Sequence, residues 1–228
     1  MLFPTYVLDN FFDDPYKVIK FASSLTYKQD PEGIWPGKRT DALQHIDDGL
    51  FQHVTNKMMR LIYPETIKQL TWNAHAYFQY TDYGVDAKEG FIHKDPSAQL
   101  SSVIYLSHHK KCGTSLYKPK SFLHGLEQKY LDVCKDYYLK NKILDNKYFK
   151  ALNSNNSKFE KTLQIDSCFN RFVAYDAHQW HSADGFFNKD IKEGRLTLVI
   201  FINEKDNIIW KNTTSSQLPF GLNKKKNT

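Results

Sequence analysis

Apolar residues along this chain recur first at helical and then at strand spacing. Val18, Phe21, Ala22 and Leu25 fall on one helical face. Asp14-Pro15 ahead of them supplies an N-cap acid and a proline at the first helical position. Leu50, Val54, Met58, Leu61 and Ile62 predict a second helix starting near Asp48. From residue 71 the period changes to two. In the run Thr71–Tyr80 the even positions Trp72, Ala74, Ala76, Phe78 and Tyr80 are all apolar. Further strand-like runs are Gly90–His93, Gln99–Leu106, Thr114–Lys118, Thr162–Asp166, Arg171–Tyr175, His178–Ser182 and Arg195–Asn203. A helical stretch between Ser121 and Leu139 interrupts them, and Asn153–Ser157 reads as a loop.

These short strands predict a mainly β fold with flanking helices, built on a jelly-roll core. No domain boundary is visible. The expectation is one domain over residues 1–228, with helical support over 1–70, the β core over 71–203, a helical insertion over 121–160 and a tail over 204–228. At 228 residues and 41% hydrophobic content the chain is long and apolar enough for a sizeable core. Aromatic residues at 15% suit strands and pocket walls.

Charge and cysteine narrow the classes. Thirty-one basic against 25 acidic residues give +6, yet three lysines lie in the tail Lys224-Lys225-Lys226 and no basic block marks a helix face. Nucleic acid is therefore not an expected partner. No apolar run is long enough to span a bilayer, and the first residues lack a secretory pattern. The three cysteines, Cys112, Cys134 and Cys168, have no CxxC spacing, which suits a reducing, cytoplasmic compartment.

The candidate chemistry lies in His93-Lys94-Asp95, where one strand ends before the next begins. Residues two apart on an extended chain point to the same side, so one imidazole and one carboxylate can reach a single ion. Two histidines and a carboxylate suit non-haem Fe(II) and leave coordination positions open. His181 can be the third ligand, and His178, three residues away, competes for that place. His45-Ile46-Asp47 has the same spacing but enters a helix, where the side chains diverge. Arg195 heads the apolar strand Leu196–Ile202 and shares a face with Thr197. A guanidinium there is costly to bury unpaired and fits a carboxylate bidentately.

Together these segments resemble the 2-oxoglutarate- and Fe(II)-dependent oxygenases, most closely the prolyl-hydroxylase-like branch with its bacterial and phage relatives. The resemblance rests on Phe91-Ile-His-Lys-Asp95, Ser102–Leu106, Cys112-Gly-Thr114, Arg171–Tyr175, Trp180-His-Ser182 and Gly194-Arg-Leu-Thr197. Val7–Phe12 and Trp35-Pro-Gly-Lys-Arg39 also resemble the helical lead-in of phage-type members. It implies a double-stranded β-helix with His93, Asp95 and His181 as iron ligands. Arg195, Tyr105 and Thr197 would hold the distal carboxylate of 2-oxoglutarate. O2 would be the second cosubstrate, with ascorbate as an accessory reductant. The implied reaction hydroxylates an amino-acid residue, prolyl before others, in a peptide or protein, while 2-oxoglutarate is decarboxylated to succinate. The intact carboxylate at Asp95 points to hydroxylation rather than halogenation. The interval from His181 to Arg195 is longer than in most prolyl hydroxylases, so Ser182–Glu193 would form an extended hairpin at the mouth.

Tyr80, Tyr83, Trp180 and Phe186 lie in or beside segments expected to surround the iron, and aromatic walls suit a pyrrolidine ring. Specificity is expected in the loops Tyr83–Gly90, Pro119–Asn156 and Ala183–Glu193. Three alternatives stand beside this reading. They are the same chemistry on a free amino acid or small metabolite, nucleobase demethylation, and a non-catalytic jelly-roll binding protein.

Overall fold

Alternation in the strands and helical periodicity in the N-terminal third sort the apolar side chains into layers. A computed structural model describes residues 3–30, 33–81, 89–108, 112–140, 142–185, 194–203 and 209–210. The chain opens with β1 (Tyr6–Leu8), α1 (Pro15–Ser23), β2 (Lys38–Arg39), α2 (Leu43–Ile46) and α3 (Asp48–Ile62). Then come β3 (Leu70–Thr71), β4 (Ala74–Thr81), β5 (Ala98–Tyr105) and β6 (Thr114–Pro119). An insertion follows, made of α4 (Gln128–Cys134), a π-helical turn at Lys135–Leu139 and α5 (Asn146–Asn156). The remaining strands are β7 (Phe159–Ile165), β8 (Phe172–Asp176), β9 (Trp180–Ala183), β10 (Arg195–Asn203) and β11 (Ile209–Trp210).

Six strands form an antiparallel sheet in the order β1-β8-β5-β10-β4-β2, and three form a second in the order β7-β6-β9. Between them Val103, Tyr105, Val173 and Tyr175 of the first sheet pack with Leu116 and Ile165 of the second. On its other face the large sheet presents Ala74, Ala76, Phe78, Leu100, Ile104, Leu198, Ile200 and Ile202 to the helices, where Val18, Ala22, Val54, Met58 and Met59 meet them. α1 starts as its sequence predicts, with the Asp14 carboxylate accepting from Lys17 N at 3.0 Å. Asp47 caps α3 by accepting from Leu50 N at 2.9 Å, so the second His-x-Asp pair is occupied in helix capping.

The structure departs from the sequence reading in several places. Residues 90–93 are not a regular strand. They make a single bridge, His93 with His181, flanked by Gly90 N donating to Ala183 O at 2.9 Å. Trp35–Arg39 is not helical but turns into the edge strand β2. β1 adds a strand at the opposite edge, pairing with β8. Asn153–Asn156 is the last turn of α5 rather than a loop.

Gly113, just before β6, sits where a Cβ would collide with the Ile165 carbonyl oxygen across the β6–β7 pairing. Gly113→Ala must push two hydrogen-bonded strands apart. We expect a loss of about 1–3 kcal/mol, as for overpacking a filled site. That corresponds to a drop in Tm of about 2–4 °C for each kcal/mol in a chain of this size, read by calorimetry.

Candidate active site

The interior face of the large sheet carries the polar groups. On β10, Arg195 and Thr197 alternate with Leu196 and Leu198, which point to the helices. Thr197 pairs with Tyr105 on β5 and with Gln79 on β4, and Gln79 pairs with Arg39 on β2. Tyr105, Thr197, Gln79 and Arg39 thus form one row across four strands. A slip of one residue in β10 would turn Arg195 and Thr197 outward; its apolar alternate positions, set in the helix-covered core, oppose that slip.

His93, Asp95 and His181 converge. One ligand atom from each lies within 4.8 Å of the others. Asp95 Oδ1 is 3.7 Å from His93 Nε2, and Asp95 Oδ2 is 3.3 Å from His181 Nε2. His93 Nδ1 donates to Phe91 O and His181 Nδ1 to Gln179 O, each at 2.8 Å. Since a carbonyl only accepts, both rings carry their proton on Nδ1 when neutral and turn Nε2 inward, the outer contact typical of metal-binding histidines. Ser101 donates to Asp95 Oδ2 at 2.6 Å. Burial alone would raise the Asp95 pKa, but the two imidazoles and the Ser101 hydroxyl outweigh it and hold the carboxyl well below its usual range. Burial and the neighbouring His181 push His93 down. Burial also acts to lower His181, but the Asp95 charge and hydrogen bond prevail and raise it. An ionised carboxylate and two inward-facing Nε2 atoms form a donor set suited to a divalent transition metal.

His178 is not part of this group. It lies in the turn before β9, where its backbone N–H donates to Asp176 Oδ1 at 2.8 Å and its Nδ1 is 3.5 Å from the same oxygen. The His93 segment is held from outside by the end of α5. Asn155 Nδ2 donates to Ile92 O at 3.1 Å, while Asn156 accepts from Ile92 N at 3.1 Å and donates to Gly90 O at 3.0 Å. Sequence reading missed both asparagines, because a run of Asn and Ser looks like a loop unless its partner backbone is known.

Arg195 is 6% exposed. Its Nε and one terminal nitrogen donate to Cys112 O at 3.3 and 3.2 Å, and among the described residues it makes no ion pair. Tyr105 Oη and Thr114 Oγ1 are 2.7 Å apart, and burial pushes the phenol up to about 12, so it stays a donor near neutrality. Thr197 Oγ1 is buried with no hydrogen-bond partner among the described residues. A buried guanidinium, a phenol and an orphaned hydroxyl on one face make a fitting cradle for a carboxylate.

The four aromatic residues expected to wall the substrate do not gather here. Tyr80 pairs with Leu196 and faces the helical side, its ring against Gly194 and near Tyr27. Trp180 precedes His181 on β9 and therefore points the other way, packing with Ile92, Tyr117 and Phe159 on the outer side of the small sheet. Tyr83 and Phe186, like much of the Ser182–Glu193 hairpin, lie outside the described residues. The interior face instead carries Tyr77, Tyr175 and Phe201, with Trp35 beside them over Arg39.

The fold is shared with solved structures of oxygenases. HygX from Streptomyces hygroscopicus, solved with nickel and 2-oxoglutarate, aligns at TM-score 0.52 and 9% identity over 87% of this chain and 82% of its own. The non-haem α-ketoglutarate-dependent carbocyclase SnoK from nogalamycin biosynthesis aligns at 0.52 and 8%, over 93% of this chain and 84% of its own. A Pseudomonas putida prolyl-4-hydroxylase aligns at 0.45 and 11%, over 87% and 91%, a similarity too low to bear on substrate. The chain belongs to a family of unknown function, DUF6445, whose profile matches residues 3–202. No curated protein matches the sequence. Among the described residues, no helix is long and apolar enough to cross a membrane.

Proposed function

We propose that the protein is an Fe(II)- and 2-oxoglutarate-dependent oxygenase with a double-stranded β-helix core, hydroxylating a C–H bond of an amino-acid substrate. The observation that carries this reading is the buried Arg195 guanidinium, which shares an interior with His93, Asp95 and His181 and whose hydrogen bonds among the described residues go only to a carbonyl. In this reading the three convergent side chains hold the iron. Arg195, Tyr105 and Thr197 hold the distal carboxylate of 2-oxoglutarate, which supplies the missing counter-charge and a partner for the Thr197 hydroxyl. The nickel and 2-oxoglutarate in HygX support the same pair of ligands here. Iron, when bound, supplies O2 activation coupled to decarboxylation of 2-oxoglutarate. The chain contributes ligand geometry, orientation of the cosubstrate and exclusion of water. Phe91 O and Gln179 O fix the imidazoles, and the apolar layer of Val103, Leu116, Ile165 and Val173 keeps the surroundings dry.

For the substrate, the family resemblance favours a prolyl residue in a peptide, with a free amino acid as the second reading. Its aromatic support now comes from Tyr77, Tyr175 and Phe201 rather than from Tyr80 and Trp180. The test is optical and kinetic. Under nitrogen, Fe(II) and 2-oxoglutarate together should give a weak visible charge-transfer band with the protein. In air, a proline-containing peptide should raise succinate formation above the uncoupled rate. No band would sink the oxygenase reading. A band with stimulation by free amino acids alone would replace the peptide with the smaller substrate.

A further inference from the structure

Arg39 is a second guanidinium on the interior face, and neither the metal group nor the carboxylate cradle uses it. Gly37 at φ +85° makes the turn that lays β2 along β4; a Cβ there would strike the Tyr80 carbonyl. Arg39 is thereby paired with Gln79, whose Oε1 accepts from Arg39 Nε at 2.9 Å, while Gln79 Nε2 donates to Pro36 O at 3.1 Å. The Trp35 ring lies against one face of the guanidinium, 3.7 Å from its carbon. The rings of Tyr77 and Phe201 are 5.6 and 5.4 Å away. Phe201 pairs across the sheet with Ser101, whose hydroxyl holds Asp95, so the side chain runs from the sheet edge toward the metal group.

The two terminal nitrogens of Arg39 have no hydrogen-bond acceptor among the described residues. Burial pulls the Arg39 pKa down to about 10, and the negative charges of Asp95 and Asp30 offset only part of that cost. Asp95 is already engaged by two imidazoles and Ser101. Trp35 and Gln79 fix the plane of the guanidinium and leave its outer edge presented, a geometry that matches a planar carboxylate bidentately.

We propose that Arg39 binds a carboxylate of the substrate. The proposal rests on the oxygenase reading above and narrows it. The carboxylate is taken as the α-carboxylate of an amino acid or of the C-terminal residue of a peptide, which places the oxidised carbon in or beside that residue.

The test uses the full-length protein loaded with Ni(II) and saturating 2-oxoglutarate, which keeps Arg195 occupied and prevents turnover. Loading is checked first, by thermal stabilisation that requires both additions; its failure would count against the oxygenase reading, independently of Arg39. The probes are the twenty N-acetyl amino acids and their primary amides, and a set of Ala-Pro-X tripeptides as acids and amides, with binding read by calorimetry. Wild type should prefer at least one acid over its amide tenfold or more. Arg39→Met should reduce that preference to less than threefold, and Arg39→Lys should restore part of it. An acid preference found with the tripeptides alone assigns the carboxylate to a peptide end. One found with the N-acetyl series assigns it to a single amino acid. A merely structural role for Arg39 would weaken acid and amide equally and overturn the proposal. So would equal binding of both by wild type, binding of neither, or an undiminished preference in Arg39→Met.

Discussion

His181→Ala should lose specific binding of one divalent metal, while His178→Ala keeps it. Among the described residues three side chains converge, and each supplies one atom to the cluster. Removing an outer hydrogen-bond partner of a ligand already costs about 10–100-fold in affinity, so deleting one of three ligands should cost at least about 100-fold. His178 is tied to Asp176 in a turn and is not one of the three. Calorimetric titration with Mn(II) or Ni(II) reads both variants. Retained affinity in His181→Ala together with loss in His178→Ala would reverse the assignment. His93→Ala should behave as His181→Ala does.

Arg195→Leu should lower the affinity for 2-oxoglutarate at least tenfold, about 1.4 kcal/mol, because a dianion would then enter a buried pocket without its charge partner. Thr197→Val should cost less, about 0.5–1.5 kcal/mol for one hydrogen bond. Thr197→Val should also leave the ligand-free protein as stable as wild type or more so, since the hydroxyl it removes is buried and unpartnered. The readout is a 2-oxoglutarate titration of the charge-transfer band, with thermal melts alongside. An unaltered titration in Arg195→Leu would remove the cradle.

The parts of this molecule governed by local rules were legible in the sequence. The Asp14-Pro15 cap, the stripe of α3 and the alternation in β4 and β10 all appear where the residues place them. His93, Asp95 and His181 were readable because two of them share a face of an extended segment and the third lies on another strand. The errors came from not carrying alternation through to its consequence. Tyr80 belongs to the even, apolar set that faces the helices, and Trp180 is next to a residue already assigned inward. Arg39 escaped because its relation to Gln79 depends on a pairing 40 residues away in sequence, which no short window contains. The strands β1 and β2 are only three and two residues long, too short to show a period.

The clip that Asn155 and Asn156 place on residues 90–92 joins two regions that are far apart in the chain. Helix α5 is the distal wall of the insertion between β6 and β7, while residues 90–92 lead directly to His93. Thermodynamic linkage makes such a connection work in both directions. Whatever orders the helix favours the position of the imidazole, and an ion gripped by that imidazole protects the helix from fraying. The insertion is therefore not an exchangeable module. Among descendants of this fold it can change its outer surface freely, but shortening it from the α5 end would surrender affinity at the metal centre along with the lost contacts.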